Sequence, residues 1–306
     1  MRGGRGEGEG RQVRRPSLPP SPFPIDAPGP DPEHSAPMNP ASRAWRPSPF
    51  LLFSLLLHAA LLLAWLFWPG LWRWWLAAFV LDHLLLAAAG LWPRSTLLGP
   101  NITRLPAEAI TRNEVAITID DGPDPEVTPQ VLAILAAHGA RATFFCIGER
   151  AARHPQLVQA IAAGGHAVEN HGQRHHTHAA FSGPAGWLRE VGEAQATLEA
   201  ITGQTPRFFR ALAGLRNPFL DPVLHALGLR LASWSRRGYD TRARSAEVVL
   251  AALTRDLAAG DILLLHDGNA GARPGEAPLI LAVLPRLLAE LAARGLKPVT
   301  LRAALP

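Results

Sequence analysis

The chain has 306 residues, of which 48% are hydrophobic, and a formal net charge of +5 carried almost wholly by arginine. That is enough apolar material for one large domain or two small ones with segments to spare. No dense basic run interleaved with aromatics occurs in the C-terminal two-thirds, so a nucleic-acid partner has no support. A single cysteine, Cys146, excludes an internal disulfide and a paired-cysteine zinc knuckle.

Residues 1–44 are rich in Gly, Pro, Arg and Ser without helical or strand periodicity, and read as a disordered tail. Met38 is the only methionine besides Met1 and marks an alternative start, which would leave 1–37 outside the natural chain.

Residues 45–94 read as a membrane anchor. The run 49–68, PFLLFSLLLHAALLLAWLFW, is apolar for the roughly 20 residues that a bilayer core requires at about 1.5 Å rise each. It is too long for a signal-peptide core, and no small-residue cleavage site follows it. Pro69-Gly70 makes a turn. A second, weaker span covers 75–92, with Asp82 and His83 in its middle. A mid-span Asp costs about 2.5–3.5 kcal/mol on insertion scales and so calls for a partner. His58 and Asp82 lie equally far on either side of Gly70, so an antiparallel hairpin predicts a buried contact between them.

Trp45 and Trp92 would mark one membrane interface, and Trp65, Trp68, Trp72, Trp74 and Trp75 the other. Arg43, Arg46, Arg94 and Arg104 flank the first, against Arg73 alone at the tip. The positive-inside bias then places both termini and the following domain on the cytoplasmic face of the inner membrane. If only the first segment spans, the domain faces outward.

After a linker at 95–114, residues 115–306 alternate short apolar runs with helical patterns. Strands are expected at 115–119, 142–146, 166–169, 207–210, 229–234, 262–266 and 298–301. Helices are expected at 128–137, 155–163, 184–201, 218–227, 245–258 and 278–293. Alternating β and α segments imply a parallel sheet covered by helices. Seven such units predict the α/β class and a deformed (β/α)7-type barrel, with its chemistry at the C-terminal ends of the strands. Cys146, in the apolar run 142–147, reads as a small buried hydrophobe.

Four strand ends carry the chemistry. The first runs into Asp120-Asp121-Gly122-Pro123. Adjacent carboxylates repel unless a cation or a proton comes between them. The third runs into HGQRHHTH, where His171 and His175 are four apart, so one helical turn would set both on one face at metal-ligand spacing. The sixth ends LLLHDG, with His266. Arg210 closes the fourth strand, where it can aim a carboxylate. Taken singly, these are also what a turn cap, a solvated histidine loop and a packed histidine look like; their common rim favours function. Together they predict a divalent metal on Asp121, His171 and His175, Asp120 as general base oriented by Arg210, and His266 as general acid.

These motifs resemble those of the NodB-type polysaccharide deacetylases, carbohydrate esterase family 4. The likeness runs from Val115 to Leu301. The family's TFDDGP appears as TIDDGP at 118–123, its His-Ser/Thr-x-x-His as HGQRH at 171–175, its Arg motif as RALAG from Arg210, and its closing Leu-rich motif as LLLHD at 263–267. The resemblance implies a deformed (β/α) barrel and Zn2+, or in its place Co2+, Ni2+ or Mn2+. It also implies an N-acetylated sugar substrate and, from the spacing of Trp234 and Asp240, that Asp240 tunes the histidine. Three departures stand out: Gly172 in place of a hydroxyl residue, Leu212 in place of a proline, and Thr241 in place of a tryptophan. The expected partners are an N-acylated glycan and membrane lipid. An alternative is deacylation or deformylation of a lipid-linked amino sugar at the membrane surface. A third reading, a degenerate glycan-binding membrane protein, rests on Gly172 and Leu212 alone.

Overall fold

A computed structural model describes residues 44–176, 178–243, 245–269 and 277–306; the expected disordered tail up to residue 43 and the alternative start at Met38 lie outside the described residues. Helix α1 (Pro49–Phe67) opens with Pro49 in its first turn, and the Ser48 side chain accepts from the Leu51 amide. This satisfies a donor that a helix start otherwise leaves free. A 3-10 turn, Pro69–Leu71, leads into α2 (Trp72–Leu91). Both helices are long and apolar enough to cross a bilayer. Their large side chains face outward, as at Leu66 and Trp74.

Asp82 and Ser54 are buried between them. Asp82 Oδ2 accepts from Ser54 Oγ at 2.6 Å and stands 3.7 Å from His58 Nδ1. His58 Nδ1 is 2.7 Å from the Ser54 carbonyl oxygen. The expected His58–Asp82 approach is there, but the short hydrogen bond to Asp82 comes from Ser54.

The rest of the chain runs α3 (Ala107–Thr111), β1 (Glu114–Asp120), α4 (Thr128–Ala137), β2 (Thr143–Cys146), α5 (Gly148–Arg153), α6 (Pro155–Ala163), β3 (Ala167–Asn170), α7 (Pro184–Thr202), β4 (Phe208–Phe209), α8 (Leu220–Ala226), β5 (Arg230–Leu231), β6 (Arg236–Arg237), α9 (Ala246–Thr254), β7 (Ile262–His266), α10 (Leu279–Ala293), β8 (Lys297–Val299) and α11 (Leu301–Ala304). The strands pair in parallel in the order β5-β4-β3-β2-β1-β7-β6, and β8 adds beside the start of β1. The sheet curls into the expected deformed (β/α) barrel.

Side chains alternate across a strand, and β1 shows what that does. Val115, Ile117 and Ile119 pack outward beneath α4, α9 and α10, in a core that includes Leu135, Val249 and Leu287. Ala116 faces the inner core with Phe145, Phe208, Ile262 and Leu264. Thr118 and Asp120 share its parity. Each fully buried aliphatic side chain in these layers contributes about 1.5–3 kcal/mol. The same register sets Asp120 beside both Phe145 and His266, so the inner face turns from apolar to catalytic at the C-terminal rim.

The structure departs from expectation in four places. Strand β6, a two-residue Arg-Arg segment, has no apolar signature to read. Helix α9 stops at Thr254 rather than 258, since the chain turns left-handed at Asp256 (φ 51°). The last strand ends at Val299, and 301–304 is helical. The stretch 95–114 is bound into the barrel: Ile102 bridges Ala232, and Leu98 and Leu105 are buried.

Candidate active site

Asp120 ends β1 on the inner face, 2% exposed. Its Oδ1 accepts from Arg210 Nη1 at 2.7 Å, and the same nitrogen donates to Thr118 Oγ1 at 2.7 Å. Arg210 is fully buried; its Nε and Nη2 donate to the carbonyls of Ala232 and Ser233 at 3.0 and 2.8 Å, and it lies 4.1 Å above the Phe145 ring. Burial lowers its pKa, with Asp120 opposing, yet a guanidinium keeps its proton at any working pH. The result is a rigid fork that fixes the Asp120 carboxylate in one orientation.

Asp121 takes a left-handed conformation (φ 75°), which ends the strand's alternation and swings its carboxylate to the same rim. Arg150 Nη1 holds the Asp121 carbonyl at 2.8 Å, and Asn269 Nδ2 donates to Oδ2 at 3.2 Å. Oδ1 stands 3.1 Å from His171 Nε2 and 3.0 Å from His175 Nε2. Burial opposes its charge, but the two imidazoles outweigh burial and hold it well below the usual carboxylate range. Gly122 follows because Asp267 packs there: a Cβ at 122 would meet the Asp267 carboxylate at 2.4 Å.

The two histidines do not share a helix. They sit in a loop after β3, with Gly172 at φ 85° and His175 at φ 57°. The helical-turn reading of their spacing is therefore wrong, although the pair does converge. Asn170 Oδ1 accepts from the Gly172 amide at 2.8 Å, and Glu190 Oε1, reaching in from α7, accepts from the amides of Arg174 and His175 at 2.7 and 3.0 Å. His171 Nδ1 donates to the Arg210 carbonyl at 2.8 Å, which leaves Nε2 facing Asp121.

The donor set passes the test for a cation. One carboxylate oxygen and two imidazole nitrogens lie within 4.8 Å of one another. His175 Nε2 is buried and makes no hydrogen bond among the described residues. A histidine whose far nitrogen is tied to a carbonyl, as in His171, is oriented and made more basic for a metal. Two histidines and a carboxylate suit a divalent ion with open coordination positions.

Across the rim, His266 Nδ1 meets Asp240 Oδ1 at 2.8 Å, and its backbone amide donates to Oδ2 at 2.7 Å. Asp240 is 1% exposed. Burial disfavours charge on His266, but Asp240 first, and then the field of Asp120 and Asp121, outweigh it and raise its pKa. Beside it, burial pushes the Asp267 carboxyl up to about 7 although Thr128 donates to it. The cavity between these groups encloses about 280 Å3 and is walled by Trp234, Leu264, Leu212 and Thr241.

All seven residues singled out in the sequence thus gather at one rim. Glu190, Arg150, Asn269 and Asp267 were not singled out. Only Asp267, adjacent to His266 in the last motif, carried a local signal.

The polysaccharide deacetylase family pattern matches residues 108–232. A chitooligosaccharide deacetylase of Azorhizobium caulinodans is 38% identical over 167 residues, covering 53% of this chain and 78% of that protein. A peptidoglycan-N-acetylglucosamine deacetylase of Bacillus cereus is 33% identical over 188 residues, covering 61% and 85%. Among solved structures, the family 4 carbohydrate esterase from Streptomyces lividans in complex with acetate superposes with a TM-score of 0.55 at 33% identity, covering 60% of this chain and 91% of that one.

Proposed function

Because this chain belongs to the polysaccharide deacetylase family, we propose that it is a membrane-anchored, metal-dependent deacetylase that hydrolyses the N-acetyl amide of amino-sugar units. One observation carries the reading. The adjacent carboxylates at the end of β1 are put to different tasks, Asp120 pinned by Arg210 and Asp121 set among two imidazoles, with an Asp240-backed histidine opposite. A structural carboxylate pair has no need of that division.

Asp121 Oδ1, His171 Nε2 and His175 Nε2 would hold the cation, zinc first among the candidates. When bound, it supplies Lewis-acid polarisation of the amide carbonyl and acidification of water. Asp120 takes the proton of the attacking water, with Oδ1 engaged by Arg210 and Oδ2 free. His266 delivers a proton to the departing amine from Nε2, since Nδ1 is committed to Asp240. Trp234 and Leu264 exclude bulk water, which strengthens each of these interactions. The 45–94 hairpin fixes this 115–306 domain to a bilayer.

The test is acetate release from N-acetylglucosamine oligomers by the full chain in detergent, as metal-stripped and zinc-loaded samples and as Asp120→Asn. Release that requires metal and is lost in the variant is expected. Equal release with and without metal, or undiminished release by Asp120→Asn, would refute the assignment.

A further inference from the structure

Histidines and a carboxylate converge a second time, far from the barrel rim in sequence. Near the middle of the helical hairpin, His58 of α1 meets Asp82 and His83 of α2, and one ligand atom from each lies within 4.8 Å of the others. The donor set is that of the rim, one carboxylate and two imidazoles, on residues that the chemistry above does not use.

Asp82 is 2% exposed. Its Oδ2 accepts from Ser54 Oγ, but Oδ1 is buried and has no hydrogen-bond partner among the described residues. A buried carboxylate oxygen without a donor is costly, and lipid supplies none. By helix rise, His58 and Asp82 each sit roughly 14 Å from the ends of their helices. At that depth an ionisable side chain is expensive and is kept for a partner or a task.

Both histidines are set up as ligands. His58 Nδ1 lies 2.7 Å from the Ser54 carbonyl oxygen, and His83 Nδ1 lies 3.0 Å from that of Phe79, each one turn earlier on its own helix. A carbonyl only accepts, so in the neutral rings each Nδ1 carries the proton and each Nε2 keeps its lone pair. Backbone anchoring of this kind fixes the tautomer and orientation of metal-ligating histidines, as at His171. The two rings stand 5.2 Å apart between centroids. A purely hydrogen-bonded clamp of Ser54, His58 and Asp82 would have no use for His83 and would leave Oδ1 orphaned. Charge also permits an ion. A divalent cation among one carboxylate and two neutral imidazoles leaves one net positive charge, no larger in magnitude than that of ionised Asp82 alone, and spread over three side chains.

We infer that His58, Asp82 and His83 bind a divalent transition-metal ion, zinc by their mixed nitrogen and oxygen donors, between the two apolar helices. The ion is separate from that of the barrel. Its role is to clamp α1 to α2, with Asp82 Oδ1 as the oxygen ligand. This inference stands apart from the deacetylase reading.

The test counts zinc per chain in the full chain in phosphatidylcholine nanodiscs, loaded with zinc and desalted. The native chain is compared with His58→Leu and His83→Leu, and with His138→Leu as a control at an exposed histidine at the end of α4. His83 is itself exposed, so leucine there meets lipid without disturbing the packing between the helices. The native chain and His138→Leu are expected to hold about one more zinc per chain than His58→Leu or His83→Leu, in keeping with loss of one of three ligands. Acetate release should be the same in all four. Equal zinc in all four overturns the inference. So does an equal loss in His138→Leu, which would mean adsorption to surface histidines, and so does a zinc loss that takes acetate release with it, which would place the missing ion in the barrel. If none of the four releases acetate, the deacetylase reading fails, and the zinc difference still decides the hairpin site.

Discussion

Replacing Asp240 with Asn isolates the electrostatic support of His266 while leaving its shape. Both Asp240 oxygens are in use, one on His266 Nδ1 and one on the His266 amide. Asn offers one oxygen and one NH2 group, so one of these donors loses its acceptor inside a closed site. The remaining contact also loses its charge. A hydrogen bond to a charged group is worth about 1.5–3 kcal/mol, equivalent to about one to two pH units in the imidazole's proton affinity. The sign follows from the raised pKa of His266. Asp240 keeps the imidazole protonated to higher pH, so in Asp240→Asn the acid form disappears earlier as pH rises. The alkaline limb of kcat/KM should move down by about one to two pH units, and activity at neutral pH should fall about 10–100-fold, in keeping with loss of an orienting partner. The assay is the pH profile of acetate release, with zinc content measured alongside. An alkaline limb that stays in place while zinc content is unchanged would show that His266 is not the group that protonates the amine.

Four further outcomes are expected. Glu190→Ala frees the amides of Arg174 and His175 and should weaken zinc binding about 10–100-fold in chelator competition, and Gly172→Ser should not improve on the native loop, because a side chain at φ 85° with Glu190 Oε1 2.9 Å from its Cβ costs about 1–3 kcal/mol. His166 accepts from the Ala142 amide at 3.2 Å, and burial, then Arg141, lower its pKa from 6.5 to about 4; it is neutral when folded, so its stabilisation is complete above pH 6.5 and is lost as pH falls toward 4. With allowance for solvent near the ring, urea denaturation at pH 5 should show about 1–2 kcal/mol less stability than at pH 7.5, a difference that shrinks in His166→Gln. Ser54→Ala removes the donor to Asp82, and the melting temperature in detergent should drop by the equivalent of about 1–3 kcal/mol; no change would mean that His58 takes over.

What the sequence reveals of the site follows from how the barrel delivers it. Asp120 and His266 end long apolar strands, β1 and β7, and strand parity alone turns them inward at the same level. Arg210 follows a strand only two residues long, yet its neighbours Phe208 and Phe209 mark it. Residues of this kind are legible because the strand that aims them is also the local pattern. Glu190 is different. It lies in the middle of α7, 15 residues from the nearer amide it holds, and on a helix face its spacing matches any solvated acid. The same holds for Arg150 and Asn269, whose contact at 2.7 Å joins α5 to the loop after β7. That difference bears on Gly172. Read from the motif alone, loss of a hydroxyl there suggests a weakened metal loop. The structure supplies two replacements, Asn170 Oδ1 on the Gly172 amide and Glu190 Oε1 on the amides of Arg174 and His175. Because Gly172 has positive φ and lies beneath Glu190, the glycine and the glutamate work together: the carboxylate can reach the loop only where no side chain intervenes.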